Sequence, residues 1–159
     1  MFWLQTLVAI HVLSALIGIG PTFLLHALIR AGQTPAQLRH SLALMSVAER
    51  FPKVGGPLAV LSGILLVALY DYGGFGQLWL AGSLALFVLI QIVVVGVAGR
   101  QLKPAVEWKR GDGDGRSGSD VPPSIEASLR SARGSLWVAH ALAVALFLLM
   151  ILKPTTPLW

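Results

Sequence analysis

The sequence predicts an all-α protein: a four-helix transmembrane bundle with a short amphipathic helix between the first two spans. Three observations predict it. Four runs, at about 2–29, 54–70, 77–99 and 134–152, contain no Asp, Glu, Lys or Arg. A helix of about 20 apolar residues crosses the hydrocarbon core, and slightly shorter runs are completed by snorkelling flanks. Composition agrees, with 55% hydrophobic and 12% charged residues and a mean hydropathy of +0.75, values typical of membrane proteins. The intervening polar stretches are too short for a soluble domain, so residues 1–159 read as one integral membrane domain.

The first run opens Met1-Phe2-Trp3-Leu4, without a basic n-region, and continues beyond the length of a signal-peptide core, so it reads as a retained span. Pro21 within it removes a backbone donor and predicts a kink near Gly18-Ile19-Gly20-Pro21. After it, Thr34-Pro35-Ala36-Gln37 supplies an N-cap threonine, a proline at the first helical position and a capping-box glutamine. A helix starts there with Leu38, Leu42, Met45 and Phe51 on one face, expected to lie on lipid and to break near Pro52 or Gly55-Gly56-Pro57. The second run then leads through Asp71-Tyr72-Gly73-Gly74-Phe75-Gly76, a glycine-rich turn with aromatics at interface depth. That turn predicts spans two and three to be antiparallel neighbours. After the third run, a flexible linker is expected over 104–123, around the tract Gly111-Asp112-Gly113-Asp114-Gly115-Arg116. Its Asp-x-Asp start is not a calcium loop, because Arg116 takes the next ligand position. From Ser124 a helix is expected to run directly into span four.

Charge sets the topology. Arg30, Arg39, Arg50 and Lys53 lie between spans one and two, and Arg100, Lys103, Lys109, Arg110, Arg116, Arg130 and Arg133 between spans three and four; only Lys153 falls elsewhere. The positive-inside rule then puts both connections in the cytoplasm and both termini outside. These basic residues flank membrane segments without interleaved aromatics, which argues for anionic lipid headgroups as partners and against nucleic acid. Cysteine is absent, so disulfides, thiolate ligands and cysteine nucleophiles are excluded.

The polar residues inside the spans are the candidates for function. An ionisable residue within a span is costly and is read first as functional. His11 shares a helical face with Ser14, Gly18 and Thr22, and His26 lies about 60° round from it. His140 is surrounded by Ala139, Ala141 and Ala143, with Trp137 one turn earlier. Depth counted from the span ends lets either His11 or His26 face His140, and Gln91 is the strongly polar residue deep in span three. Two imidazoles from different helices, with small residues beside them, suit the iron of a bis-histidine haem b. Copper or zinc would need a third strong ligand, which is not evident, and acid–base work would lack an intramembrane carboxylate. Histidines that simply hydrogen-bond between helices are the competing structural reading, at about 1 kcal/mol per bond.

The pattern Leu7-Val8-Ala9-Ile10-His11-Val12-Leu13-Ser14 followed by Gly18 and Gly20 resembles the first span of a group of small bacterial membrane proteins. The group includes the CopD-type copper-resistance proteins, the HemJ-type protoporphyrinogen oxidases and an uncharacterised family of predicted integral membrane proteins. The ending Leu149-Met150-Ile151-Leu152-Lys153-Pro154 is similar to the Leu-Met-x-x-Lys-Pro close of that last family. The resemblance implies a four-span protein of the bacterial inner membrane, with haem b associated with the first-span histidine, here His11. It departs from the HemJ type in lacking a lysine within a later span, and from copper handling in having no methionine cluster. The expectation is haem b between spans one and four, serving electron transfer, haem sensing or haem handling. His11 and His140 would be the metal ligands, His26 the rival partner, and Ser14, Gly18 and Gln91 their surroundings. A cofactor-free transporter, channel or assembly partner and a HemJ-like porphyrinogen oxidase are the alternatives. Oligomers, or a larger membrane complex, are compatible with small-residue patches such as Gly96-x-x-Gly99.

Overall fold

A computed structural model describes residues 2–70, 76–111 and 120–154. Helix α1 spans Phe2–Leu28, α2 Pro35–Ala48, α3 Arg50–Leu69, α4 Leu78–Gln91, α5 Gly99–Gly111 and α6 Pro123–Leu152, with a π-helical segment, Ile92–Ala98, joining α4 to α5. Among the described residues there is no β-strand. Four helical stretches are long and apolar enough to cross a membrane, so the all-α four-span architecture holds. The expected turn (71–75) and most of the Gly-Asp tract (112–119) lie outside the described residues.

Helix α1 runs through Pro21 without interruption, and the Thr22 hydroxyl donates to the Ile19 carbonyl at 2.6 Å. The capping box of α2 forms as its sequence demands. The Gln37 amide donates to the Thr34 hydroxyl at 3.3 Å, and the Thr34 amide donates to the Gln37 side chain at 3.1 Å. The chain bends at Glu49, before Pro52 and the glycine pair. The reason is positional: Pro52 falls in the first turn of α3, where a missing N–H costs nothing. Gly55 and Gly56 remain helical because α1 crosses them.

Two expectations are corrected. Helix α2 does not rest on lipid. Leu38, Leu42 and Met45 are buried with Ile29, Ala105 and Leu136 in a core shared by α1, α2, α5 and α6, while Phe51 is half exposed. Residues 104–111 are helix rather than linker. Leu102 and Ala105 bury one face of α5, and Lys103 pairs with Glu107 one turn on, at 3.8 Å. Ser128 and Ser135 of α6 also donate hydrogen bonds to the Gln101 carbonyl and side chain. As expected, α6 is one helix from Pro123 to Leu152.

In the membrane the helices associate as two pairs, α1 with α3 and α4 with α6, linked by α1 against α6. Spans two and three, α3 and α4, form no comparable interface, contrary to the expectation from the short turn. Small residues decide this. A Cβ on Gly55 would lie 2.5 Å from the Gly18 nitrogen, and one on Gly82 would lie 2.8 Å from Leu149 Cδ2. Lipid tails are as apolar as leucine, so close packing at such glycines, backbone against backbone at Gly55 and backbone against a leucine side chain at Gly82, rather than exclusion from water, drives helix pairing.

Candidate functional site

His11 lies against α3. Its Nδ1 is 2.8 Å from the Ala59 carbonyl and 3.2 Å from the Ser62 hydroxyl. A carbonyl only accepts, so Nδ1 carries the proton and Nε2 holds the lone pair. The ring rests over Gly63, where an added Cβ would approach His11 Cε1 to 3.0 Å. Ser14 and Gly18, on the same face, are buried at the crossing with Gly55 and Gly56. The small-residue face of span one is therefore a helix-packing surface. Gln91 sits where α4 passes into the π-helical segment, its Nε2 3.9 Å from where a Cβ on Gly56 would lie.

His140 lies at another level. Its ring stacks on Phe23 with centroids 4.1 Å apart and planes 12° apart, and meets the His26 ring at 4.6 Å and 56°. Trp137 covers His26 at 4.6 Å. Phe23 and His26 are three residues apart on α1, as are Trp137 and His140 on α6. That spacing puts each pair on one face, so the antiparallel helices interleave four rings. The Thr22 backbone lies close to the His140 ring. His11 is twelve residues from Phe23, about 18 Å of helix rise. The structure thus brings His26 and His140 together and leaves His11 apart from both.

Unpaired polar atoms mark this cluster. Both ring nitrogens of His26 and Nε2 of His140 are buried with no hydrogen-bond partner. A neutral imidazole presents one donor and one acceptor, and leaving a buried polar atom unpaired costs about 1–3 kcal/mol. Native proteins rarely tolerate this without a ligand, ion or water. Arg133, one turn before Trp137, is close enough to interact electrostatically with His26. Sequence reasoning had His26 as a rival partner but missed Phe23 and Arg133. The matching three-residue spacings were the signal available.

The donor set can be weighed against the groups that bind imidazole. Among the described residues no cluster of three or more His, Cys, Asp or Glu could hold a metal ion, so a tetrahedral protein-only site is absent there. Haem iron asks less of the chain, because the porphyrin supplies four ligands and two axial imidazoles complete the set. The donor chemistry of His26 and His140 fits. Phe23 and Trp137 cover ring faces, whereas ligation uses ring edges. With metal–nitrogen bonds of about 2 Å, two imidazoles across one iron stand about 6 Å apart, centre to centre. The 4.6 Å contact is shorter than that, so the two rings would have to part before both could ligate one iron.

A family model described as "Predicted integral membrane protein (DUF2269)" matches residues 5–154. No curated protein and no solved structure matches the chain.

Proposed function

The chain belongs to the DUF2269 family of predicted integral membrane proteins, and we propose that His26 and His140 are the axial ligands of a haem b held between the first and last spans. The carrying observation is the set of three buried, unpartnered ring nitrogens on two adjacent helices. Bound haem would supply one-electron chemistry, suited to electron transfer, haem sensing or haem handling. Phe23 and Trp137 orient the imidazoles, as surrounding groups do for metal ligands. His11 serves as an interhelical tie to Ala59 rather than as a ligand of this site. By the positive-inside rule the end bearing Arg30, Arg130 and Arg133 faces the cytoplasm of a bacterial inner membrane.

Absorption spectroscopy of protein purified from haem-replete cells tests the assignment. A Soret band is expected in the wild type and in His11→Ala, and its loss in His26→Ala and His140→Ala. Absence of the band, or its survival in both His26→Ala and His140→Ala, overturns the reading. Loss in His11→Ala alone would return the role to the first-span position.

A second reading rests on the closed contact of the four rings. Phe23, His26, Trp137 and His140 also make a cofactor-free aromatic clasp between α1 and α6, as a small transporter, channel or assembly partner would use. On that reading no Soret band appears, and His140→Ala lowers thermal stability alone. Porphyrinogen turnover by the purified protein would instead favour an oxidase of the HemJ kind.

A further inference from the structure

At the basic end of the bundle, the link between α1 and α2 faces the first turns of α6 across a pocket of about 260 Å³. At about 30 Å³ per water this is room for roughly nine waters, enough for a phosphate and part of what it is esterified to. Arg30 enters from the link, Arg130 and Arg133 from α6, and the carboxylate on the rim is Glu126. Among the described residues none of the three arginines has an ion-pair partner within 4 Å. Three arginines and one carboxylate leave the pocket net positive, which favours an anion within it.

Two further features shape the pocket. Gly32 takes φ +70°, a conformation that costs a residue with a side chain and that turns the link back over α6. Gln33 gives its Nε2 to the Ser41 hydroxyl at 2.9 Å, while its Oε1 is buried without a partner. An acceptor awaiting a hydrogen bond beside three guanidiniums suits a ligand that carries both an anionic phosphate and a donor group. Arg30 follows α1 by two residues and Arg133 immediately precedes the apolar run of α6, which sets the pocket at the depth of lipid headgroups.

We propose that Arg30, Arg130 and Arg133 form a specific binding site for a phosphate-bearing anion, met in the membrane as the headgroup of an anionic phospholipid. Arginine is the side chain of choice for such a ligand because its planar fork matches phosphate oxygens in pairs. Basic pockets between membrane helices on the cytoplasmic side take headgroups in this way. The site stands independently of the haem proposal, since no histidine lines it. Arg133 belongs to both neighbourhoods and connects the anion to the His26 side of the bundle.

The test is thermal unfolding of the full chain in nanodiscs of phosphatidylcholine alone or with phosphatidylglycerol, and in detergent with inorganic phosphate, alongside lipid titration by native mass spectrometry. Phosphatidylglycerol is expected to raise the melting temperature and to stay bound. Arg30→Gln should weaken it about fivefold and Arg130→Gln with Arg133→Gln about thirtyfold, taking about 1 kcal/mol per basic residue. Lys109→Gln, on α5 outside the pocket, should change nothing. Stabilisation by inorganic phosphate to the same extent would identify a soluble phosphate as the ligand of the same site. No stabilisation by either, or stabilisation undiminished in both arginine variants, overturns the proposal. Helix content by circular dichroism separates a folding failure from lost binding, and Arg30→Gln, on a different element, gives an independent reading.

Discussion

Replacing Gly55 by alanine tests what holds the first two spans together. The new methyl carbon would lie 2.5 Å from the Gly18 nitrogen and 2.8 Å from both the Gly18 Cα and the Ser14 carbonyl oxygen. All three neighbours are backbone and cannot rotate away, so α1 and α3 must part by about 1 Å to restore ordinary contact. A gap of that size forfeits about a quarter to a half of each dispersion contact along the seam, and overpacking of this kind costs about 1–3 kcal/mol. Alanine also favours helix over glycine by about 1 kcal/mol, which must be separated out. Gly134→Ala, in the helical α6, does this, because nothing lies within 4 Å of its added methyl. The melting temperatures of the two variants in detergent, followed by circular dichroism, should differ by about 2–12 °C, at about 2–4 °C per kcal/mol, with Gly55→Ala the lower. If Gly55→Ala melts with or above Gly134→Ala, close backbone approach is not what pairs these helices.

Three further outcomes follow from the same contacts. Removing the hydrogen bond to Ala59 by His11→Leu should destabilise by about 0.6–1.7 kcal/mol in a detergent melt, with a much smaller loss for Ser62→Ala. In Thr34→Ala the Gln37 amide loses its acceptor, so hydrogen exchange should speed up in the first turn of α2, for a cost of about 1 kcal/mol. Leu38, 1% exposed in the shared core, should lose about 2–5 kcal/mol on truncation to alanine, while Leu44→Ala, 43% exposed on the same helix, should melt like the wild type. Equal melting of these last two would mean that α2 does rest on lipid.

Much of the fold could be read directly because local chemistry forced it. Span number follows from charge-free length, and the start of α2 follows from Thr34-Pro35-Ala36-Gln37, in which the Thr34 and Gln37 side chains satisfy the helix end. The limits of α5 were harder to read. The linker expected around the Gly-Asp tract takes in residues 104–111, but Ala105 is buried and Trp108 packs on the shared core, and the helix they continue is anchored upstream by Leu102 and by the hydrogen bonds from Ser128 and Ser135 to Gln101. Tertiary contact there overrides local propensity. The site was half legible. Histidines inside apolar runs stand out in any sequence, whereas depth counted from span ends leaves helix rotation undetermined: it lets either His11 or His26 face His140, and the first-span resemblance favours His11.

By itself the sequence determined four membrane-crossing helices, a capped helix after the first, and two basic connections, because each depends on composition or on neighbours within a turn. Only the tertiary structure decided which helices pair and therefore which histidines meet. Gly18 against Gly55 turns the His11 face onto α3, and the interleaving of Phe23 and His26 with Trp137 and His140 leaves three ring nitrogens without partners. The convergence of Arg30 with Arg130 and Arg133 was equally hidden, since residues a hundred positions apart meet only once the link folds over α6. Side-chain rotation and long-range approach are set by packing between helices, and no local pattern encodes them.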